Sequence, residues 1–266
     1  MSKKVFSTGH HELDPDYKFH SLYAEDGDIK ELKPDEGISY DGFNTQSRGW
    51  WLTKREAPVP EEYEITESVP YMQGEYDFSV LDQERYYKPR ELTYEFMVVD
   101  DDYQYRKGEE EIAKRRLVNP EYLPNKLYDT GNPAYFFDKA KVTSLTCDDD
   151  SEKGVLTITV KFKAYPYALG RWEEGVEVWD AIDFDDYCNN EEYTYVENKD
   201  ALIDNRGKPV LCEVYAINDA AIVDSYDNHY TIKAGATQKI VLAHGLNDVI
   251  VTKGPVRFKW RCEVMI

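Results

Sequence analysis

The chain reads as a mainly β protein. Apolar side chains recur at every second position in several segments, the mark of half-buried strands. Turn residues fall at intervals of about 8–12 through roughly the last hundred residues, the spacing of a sandwich or barrel. The 266 residues include 22 tyrosines, a residue that suits half-buried strands and interfaces because its ring is dry and its hydroxyl wet.

Taken in order, the opening through Ser39 is polar and loop-like. Gly42 and Asn44 then supply a turn before the apolar patch Trp50, Trp51 and Leu52. Neighbouring residues of a strand face opposite sides. One tryptophan is therefore expected in the core and the other exposed, where a large aromatic can anchor a neighbouring subunit. From Leu52 to Tyr71, the prolines Pro58, Pro60 and Pro70 disfavour a central strand and suit an edge or a projecting arm. Tyr63 and Ile65 alternate there with Glu62, Glu64 and Thr66. The segment reads either as an arm reaching the next subunit or as a hairpin packed on its own domain.

From Glu91 to Val98, the residues Leu92, Tyr94, Phe96 and Val98 share one strand face, directed at a core. Gly108–Val118 is the best helix. Glu110–Lys114 and Glu111–Arg115 are i,i+4 pairs in the favourable order. Acid in its first turn and base in its last match the helix dipole, and Pro120 stops it. Ile112 leaves only a thin apolar stripe, so the helix is expected on a surface. Leu156, Ile158, Val160 and Phe162 form another strand face, joined to the preceding strand by the turn at 148–154. The stretch Ala164–Gly170 breaks the pattern. It divides the chain into an N-terminal β domain, 1–168, and a C-terminal β-sandwich, 169–266.

Charge and chemistry narrow the function. The net charge is −20, which argues against binding nucleic acid through its phosphates. Arg171 to Asp227 holds 4 basic and 16 acidic residues, whereas Asn228 to Ile266 holds 6 and 2. Two opposed faces or a head-to-tail interface would exploit that asymmetry. Cys147, Cys188, Cys212 and Cys262 lack the spacing of a zinc site and are expected as free, mostly buried thiols. Residues 1–8 carry no apolar core for a signal peptide. No apolar run approaches the roughly 18 residues of a membrane span.

Glu173, Glu174, Glu177, Asp180, Asp183, Asp185 and Asp186 lie among Trp172 and Trp179. Paired acids beside aromatics are what a glycosidase uses, but nothing singles out a pair. Calcium at Asp183, Asp185 and Asp186 lacks a turn glycine and a closing glutamate, since Thr194 stands at the twelfth position. A solvated or partner-facing acidic loop is the expectation. His10 and His11 have no second ligand cluster, and His20, His229 and His244 are isolated. No nucleophile elbow, P-loop or dinucleotide fingerprint occurs. No catalytic, cofactor or metal residue is therefore assigned, and no enzyme is expected.

Four stretches, "GFNTQSRGWWL", "SVPYMQGEYDFS", "YYKPRELTYEFMV" and "PAYFFDKAKVTSLTCDDDSEKGVLTITVKFKAYPYA", resemble in their order the distal tail protein (Dit) family of long non-contractile-tailed phages. The closing "VLAHGLNDVIVTKGPVRFKWRCEV" looks like that family's final hairpin. Tyr71 stands where the family usually has a glycine, the residue that permits positive φ. The resemblance implies a virion protein forming a hexameric ring at the tail tip. N-terminal β domains would form the ring around a genome channel, and C-terminal galectin-like sandwiches would point outward. It further implies partners: further copies of the chain, the tail tube protein, the tail-associated hub and receptor-binding or baseplate proteins. The genome would pass without specific binding, and nothing would insert in a membrane. Candidate interface residues are Trp50, Trp51, Tyr63, Tyr71, Tyr86, Tyr87, Trp172 and Trp179. The alternative is a carbohydrate-binding module, with Trp172, Trp179 or nearby tyrosines as stacking platforms.

Overall fold

The computed structural model describes residues 34–68, 70–71, 73–81, 84–118, 125–174, 193–195 and 199–266. The fold is mainly β, with antiparallel sheets and one α-helix among the described residues. The chain divides into two compact units. One holds the residues up to Asn132 and Phe137–Pro166, and the other Pro133–Phe136 and Tyr167–Ile266.

In the first unit, β1 (Ile38–Tyr40), β2 (Phe43–Asn44) and β3 (Trp51–Glu56) are followed by four two-residue strands. These are β4 (Thr66–Glu67), β5 (Tyr76–Asp77), β6 (Val80–Leu81) and β7 (Glu84–Arg85). Then come β8 (Arg90–Val99), α1 (Tyr103–Leu117), β9 (Asn125–Asp129), β10 (Tyr135–Asp150), whose first two residues belong to the second unit, and β11 (Val155–Ala164). The strand order is β2-β1-β9-β10-β11-β8-β3. β10 pairs with β9 through Phe137 and Ala140, then with β11 from Lys141 onward, with register shifts on the way. Such bulges bend a strand and let it serve two sheets.

The expected faces of β8 and β11 are the core: Leu92, Tyr94, Phe96, Val98, Leu156, Ile158, Val160 and Phe162 are all buried. Ile38, Tyr40, Leu127 and Phe137, from β1, β9 and β10, are buried as well. The Tyr40 and Phe162 rings meet edge to face at 5.1 Å, a favoured aromatic geometry. The β10–β11 hairpin forms as expected, and its last turn residue, Gly154, has φ +66°, a conformation glycine reaches without strain. Asp129, buried at the end of β9, accepts from Arg55 at 2.8–3.0 Å, from the Tyr94 hydroxyl at 3.0 Å and from the Gly131 amide at 2.9 Å. Burial, and then the Asp129 charge, push the Tyr94 hydroxyl well above its ordinary pKa.

The helix begins at Tyr103, not Gly108. Asp102 caps it, accepting the Gln104 amide at 2.9 Å, which satisfies one of the free donors of the first turn. The expected first-turn acid is absent, because the true first turn lies five residues earlier. Its buried side is Arg106, Glu109, Ala113 and Leu117, more ionic than apolar. Arg106 donates to Asp149 at 2.6 and 3.2 Å and to the Asp100 carbonyl at 2.7 Å. Glu109 accepts from Arg48 and, at 2.9 Å, from the Trp50 indole. The expected Glu110–Lys114 pair is present, and Lys107 joins it at 2.8 Å.

The second unit contains β12 (Ala168–Gly170), β13 (Tyr193–Tyr195), β14 (Lys199–Asn205), β15 (Val210–Ala216) and β16 (Ala220–Val223). It continues through β17 (His229–Ile232), β18 (Thr237–Leu242), β19 (Gly245–Lys253), β20 (Val256–Lys259) and β21 (Glu263–Val264). Two four-stranded sheets, β13-β20-β15-β18 and β14-β19-β16-β17, enclose one apolar core. Val214, Leu242 and Phe258 come from the first sheet, and Ile203, Ile222, Val249 and Val251 from the second. Alternate burial along β15, from Val210 to Ala216, is the period-two pattern made visible. Cys212 and Cys262 are buried and Cys147 half-buried, none of the three in a disulfide, while Cys188 lies outside the described residues. Burial pushes the Cys212 thiol up to about 12. Gly207 is required by contact, since a Cβ there would lie 2.3 Å from the Glu263 carbonyl oxygen. No helix among the described residues is long and apolar enough to cross a membrane.

Candidate assembly surface

Between β3 and β8 the described residues within 57–89 leave the core and return as a ribbon. Its root is fixed. The buried Arg90 donates to the Ala57 carbonyl at 2.7 Å and lies over the Phe137 ring at 5.2 Å. Next, Glu62 bridges to Tyr87, the Tyr63 amide donates to the Tyr86 carbonyl at 2.8 Å, and the Lys88 amide to the Glu61 carbonyl at 2.7 Å. The Glu61 and Lys88 side chains pair at 2.8 Å, which holds the Glu61 carboxyl below its ordinary range. Further out, Phe78 donates to the Ile65 carbonyl at 2.7 Å, and the Ser79 hydroxyl accepts the Ile65 amide at 2.8 Å. β4 pairs with β5, and β6 with β7.

The prolines explain why this segment is a ribbon and not part of the main sheet. Proline has no amide donor for a ladder and is confined to edges. The ribbon's side chains stay largely outside. Val59, Tyr63, Ile65, Tyr71, Tyr76, Phe78 and Tyr86 are exposed, Ile65 at 58%. Tyr71 is fully exposed and sits at φ +73°, in the left-handed region that favours glycine. Two-stranded ribbons are marginal alone, and apolar side chains clustered in the open mark contact surfaces.

The candidates from the sequence separate by environment. Tyr63, Tyr71 and Tyr86 are exposed on the ribbon, and Tyr87 is half-buried at its root. Trp51, opposite Met97, is half-buried. Trp50 is not available to a partner: it is 0% exposed, packed against Phe43 and Phe96 and tied to Glu109. The second unit presents Trp172 exposed, with the Arg171 guanidinium 5.5 Å over its ring. Trp179 lies outside the described residues. Ile65, Tyr76 and Phe78 complete the ribbon surface and were not among the candidates. The Tyr63/Ile65 alternation between prolines was their available signal.

Of the acids that suggested chemistry, Glu173 is paired with Lys259 at 2.5 Å and Arg261 at 3.4 Å. Glu174 forms a backbone bridge to Trp260, and the residue is 3% exposed. Its Oε2 has no hydrogen-bond partner among the described residues, and burial pushes the carboxyl up to about 8. Glu177, Asp180, Asp183, Asp185 and Asp186 lie outside the described residues. Among the described residues, no three His, Cys, Asp or Glu side chains gather as a metal site. His229 is exposed near Asp227, and the His244 Nδ1 pairs with the Gly207 carbonyl at 2.8 Å.

No protein-family model matches the chain, and no curated protein does. The fold does have a solved counterpart. The chain is similar to the SPP1 Dit (gp 19.1) protein, described as a paradigm of the hub adsorption apparatus in phages that infect Gram-positive bacteria. The TM-score is 0.57 at 11% identity, over 85% of this chain and 98% of that one. At that identity the likeness establishes a shared fold.

Proposed function

We propose that this chain is a structural virion protein of the distal phage tail, and that its copies close into a hexameric ring. The observation that carries the proposal is the exposed aromatic ribbon, rooted by Arg90 and bearing Tyr63, Ile65, Tyr71, Tyr76 and Phe78. The likeness in fold to a protein described as part of a hub adsorption apparatus supports it. The mechanism is geometric and makes no bonds. Each ribbon lies on the neighbouring copy, and a repeated heterologous contact closes when its rotation divides a full turn. The ring joins the tail tube to the tail-associated hub and receptor-binding proteins. The genome passes through its centre, and the acidity of the chain keeps DNA from adhering.

Negative-stain microscopy of the purified full chain, beside its mass in solution, tests this reading. Rings of six copies are expected. Replacing Val59–Tyr86 by a short turn is expected to leave a folded monomer. A wild-type chain that stays monomeric at high concentration and binds glycans on an array would overturn the proposal in favour of a carbohydrate-binding module.

A further inference from the structure

The ribbon is one-signed as well as aromatic. Residues 57–81 hold six acidic residues and no lysine or arginine. At the root, Glu61 and Glu62 are engaged by Lys88 and Arg85. Further out, Glu64, Glu67 and Glu75 are exposed and in no ion pair among the described residues. The register of β4 and β5 sets Glu67 beside Tyr76, and the Phe78 amide donates to the Ile65 carbonyl. Side chains two apart share a face, so Ile65, Glu67, Tyr76 and Phe78 stand on one side of the ribbon.

The first unit also presents a face of the opposite sign. On the side of β3, β8, β11 and β10 turned away from the core, the register sets Val99 beside Val155, and Trp51, Met97, Thr157 and Asp148 in the next row. Trp51, Met97, Val99 and Val155 are half-buried. The helix lies on the other side, where Arg106 pairs with Asp149, beside the buried Leu156. Lower on the outer face, Glu95 accepts from the Thr53 hydroxyl at 3.1 Å, and Lys54 pairs with Glu56 at 2.7 Å. The last row is Glu91, Lys163 and Lys141, with Lys161 two residues from Lys163 on the same face. Lys141, Lys161 and Lys163 are in no ion pair among the described residues. The face is thus apolar at one end and cationic at the other, in a chain of net charge −20.

We propose that this outer face is the seat on which the ribbon of a neighbouring copy lies. Ile65, Tyr76 and Phe78 of one copy cover Trp51, Met97 and Val155 of the next, and Glu67 reaches towards Lys161 and Lys163. The occupant is a second copy's ribbon because each surface carries unpaired charge of the sign that the other needs, beside apolar area of its own. The ribbon does not occupy the seat of its own copy, since there its aromatic side chains stand exposed. Tyr, Trp, Phe and Met are the residues enriched at the centre of protein interfaces, and opposite potentials steer such surfaces together and fix their direction. Because ribbon and seat are different patches, the contact repeats from copy to copy. The inference rests on the ring reading for the identity of the partner and names the surface that the ribbon meets.

The test uses the full chain with a photo-crosslinking residue in place of Phe78, mixed with an isotope-labelled copy, and mass spectrometry of the crosslinked peptides. Crosslinks between copies are expected to reach β8 and β11. The double variant Lys141→Glu with Lys161→Glu makes both seat and ribbon acidic. Glu64→Lys with Glu67→Lys makes both basic. All four side chains are exposed, so the fold is expected to persist, as circular dichroism would verify. Each variant alone is expected to lose the crosslink by about tenfold or more, and mixing the two variants to restore it. Crosslinks that survive both reversals, that join ribbon to ribbon, or that are absent from the wild type overturn the seat. Crosslinks to β8 or β11 within a single copy also overturn it, by making the chain's own ribbon the occupant. Rings in which the probe reaches some other surface of the neighbour remove this seat and leave the ring reading standing. The expected crosslink in open pairs or filaments, without rings, does the reverse.

Discussion

Glu109 shows how far one buried charge organises the first unit. It joins the helix to Arg48 and Trp50, so two distant parts of the sequence meet at one carboxylate. Removing one partner of a buried pair leaves the other uncompensated, at roughly 3–5 kcal/mol. Arg48 is partly solvated, which lowers that cost. Glu109→Gln is therefore expected to destabilise by about 1–3 kcal/mol in urea unfolding. Glu174 predicts a pH dependence. Its carboxyl titrates near 8 in the folded chain, against an ordinary value of 4.5. Between those values the folded state holds a proton that the unfolded state has released. Stability of the second unit is thus full below about pH 4.5 and falls as pH rises towards 8, at up to roughly 1.4 kcal/mol per pH unit. Glu174→Gln is expected to remove that slope in denaturation curves measured across the range.

Among the elements, β8 and β11 were legible in the sequence because burial on one face imposes a period of two on side-chain type. The start of the helix was not. Tyr103–Lys107 carries no apolar stripe, and its inward face is held by the ion pair of Arg106 with Asp149, a contact across 43 positions that no local pattern encodes. The cap by Asp102 was available as a signal but lies within a run of acids at 100–102 that conceals it. Asp102→Ala is expected to cost about 1 kcal/mol, read as a lower unfolding midpoint and less helical ellipticity. The ribbon was legible as an extended, proline-marked segment. Its sidedness was not, because the alternation of Tyr63 and Ile65 signals a half-buried strand, while the ribbon presents both to the outside. The opposite ambiguity surrounds Trp50 and Trp51. Adjacency gave one inward and one outward residue, but which is which depends on Glu109, supplied from 59 positions away.

For the molecule as a whole, net charge is the property that reads directly from sequence to behaviour. A chain at −20 lacks the cationic surface through which proteins displace counterions from DNA. An electrophoretic mobility shift assay with duplex DNA at physiological salt is expected to show no complex, and a salt-sensitive complex would contradict the proposed smooth passage of a genome. The division into two units has a further consequence. Pro133–Phe136 belongs with the second unit although it lies within the span of the first, and the Arg171 amide donates to the Ala134 carbonyl at 2.7 Å. No single cleavage of the polypeptide can release the second unit entire. A fragment beginning at Tyr167 would leave four of its residues behind and uncover the edge of β12, so a protease nick there yields a second unit with a strand edge stripped of its cover.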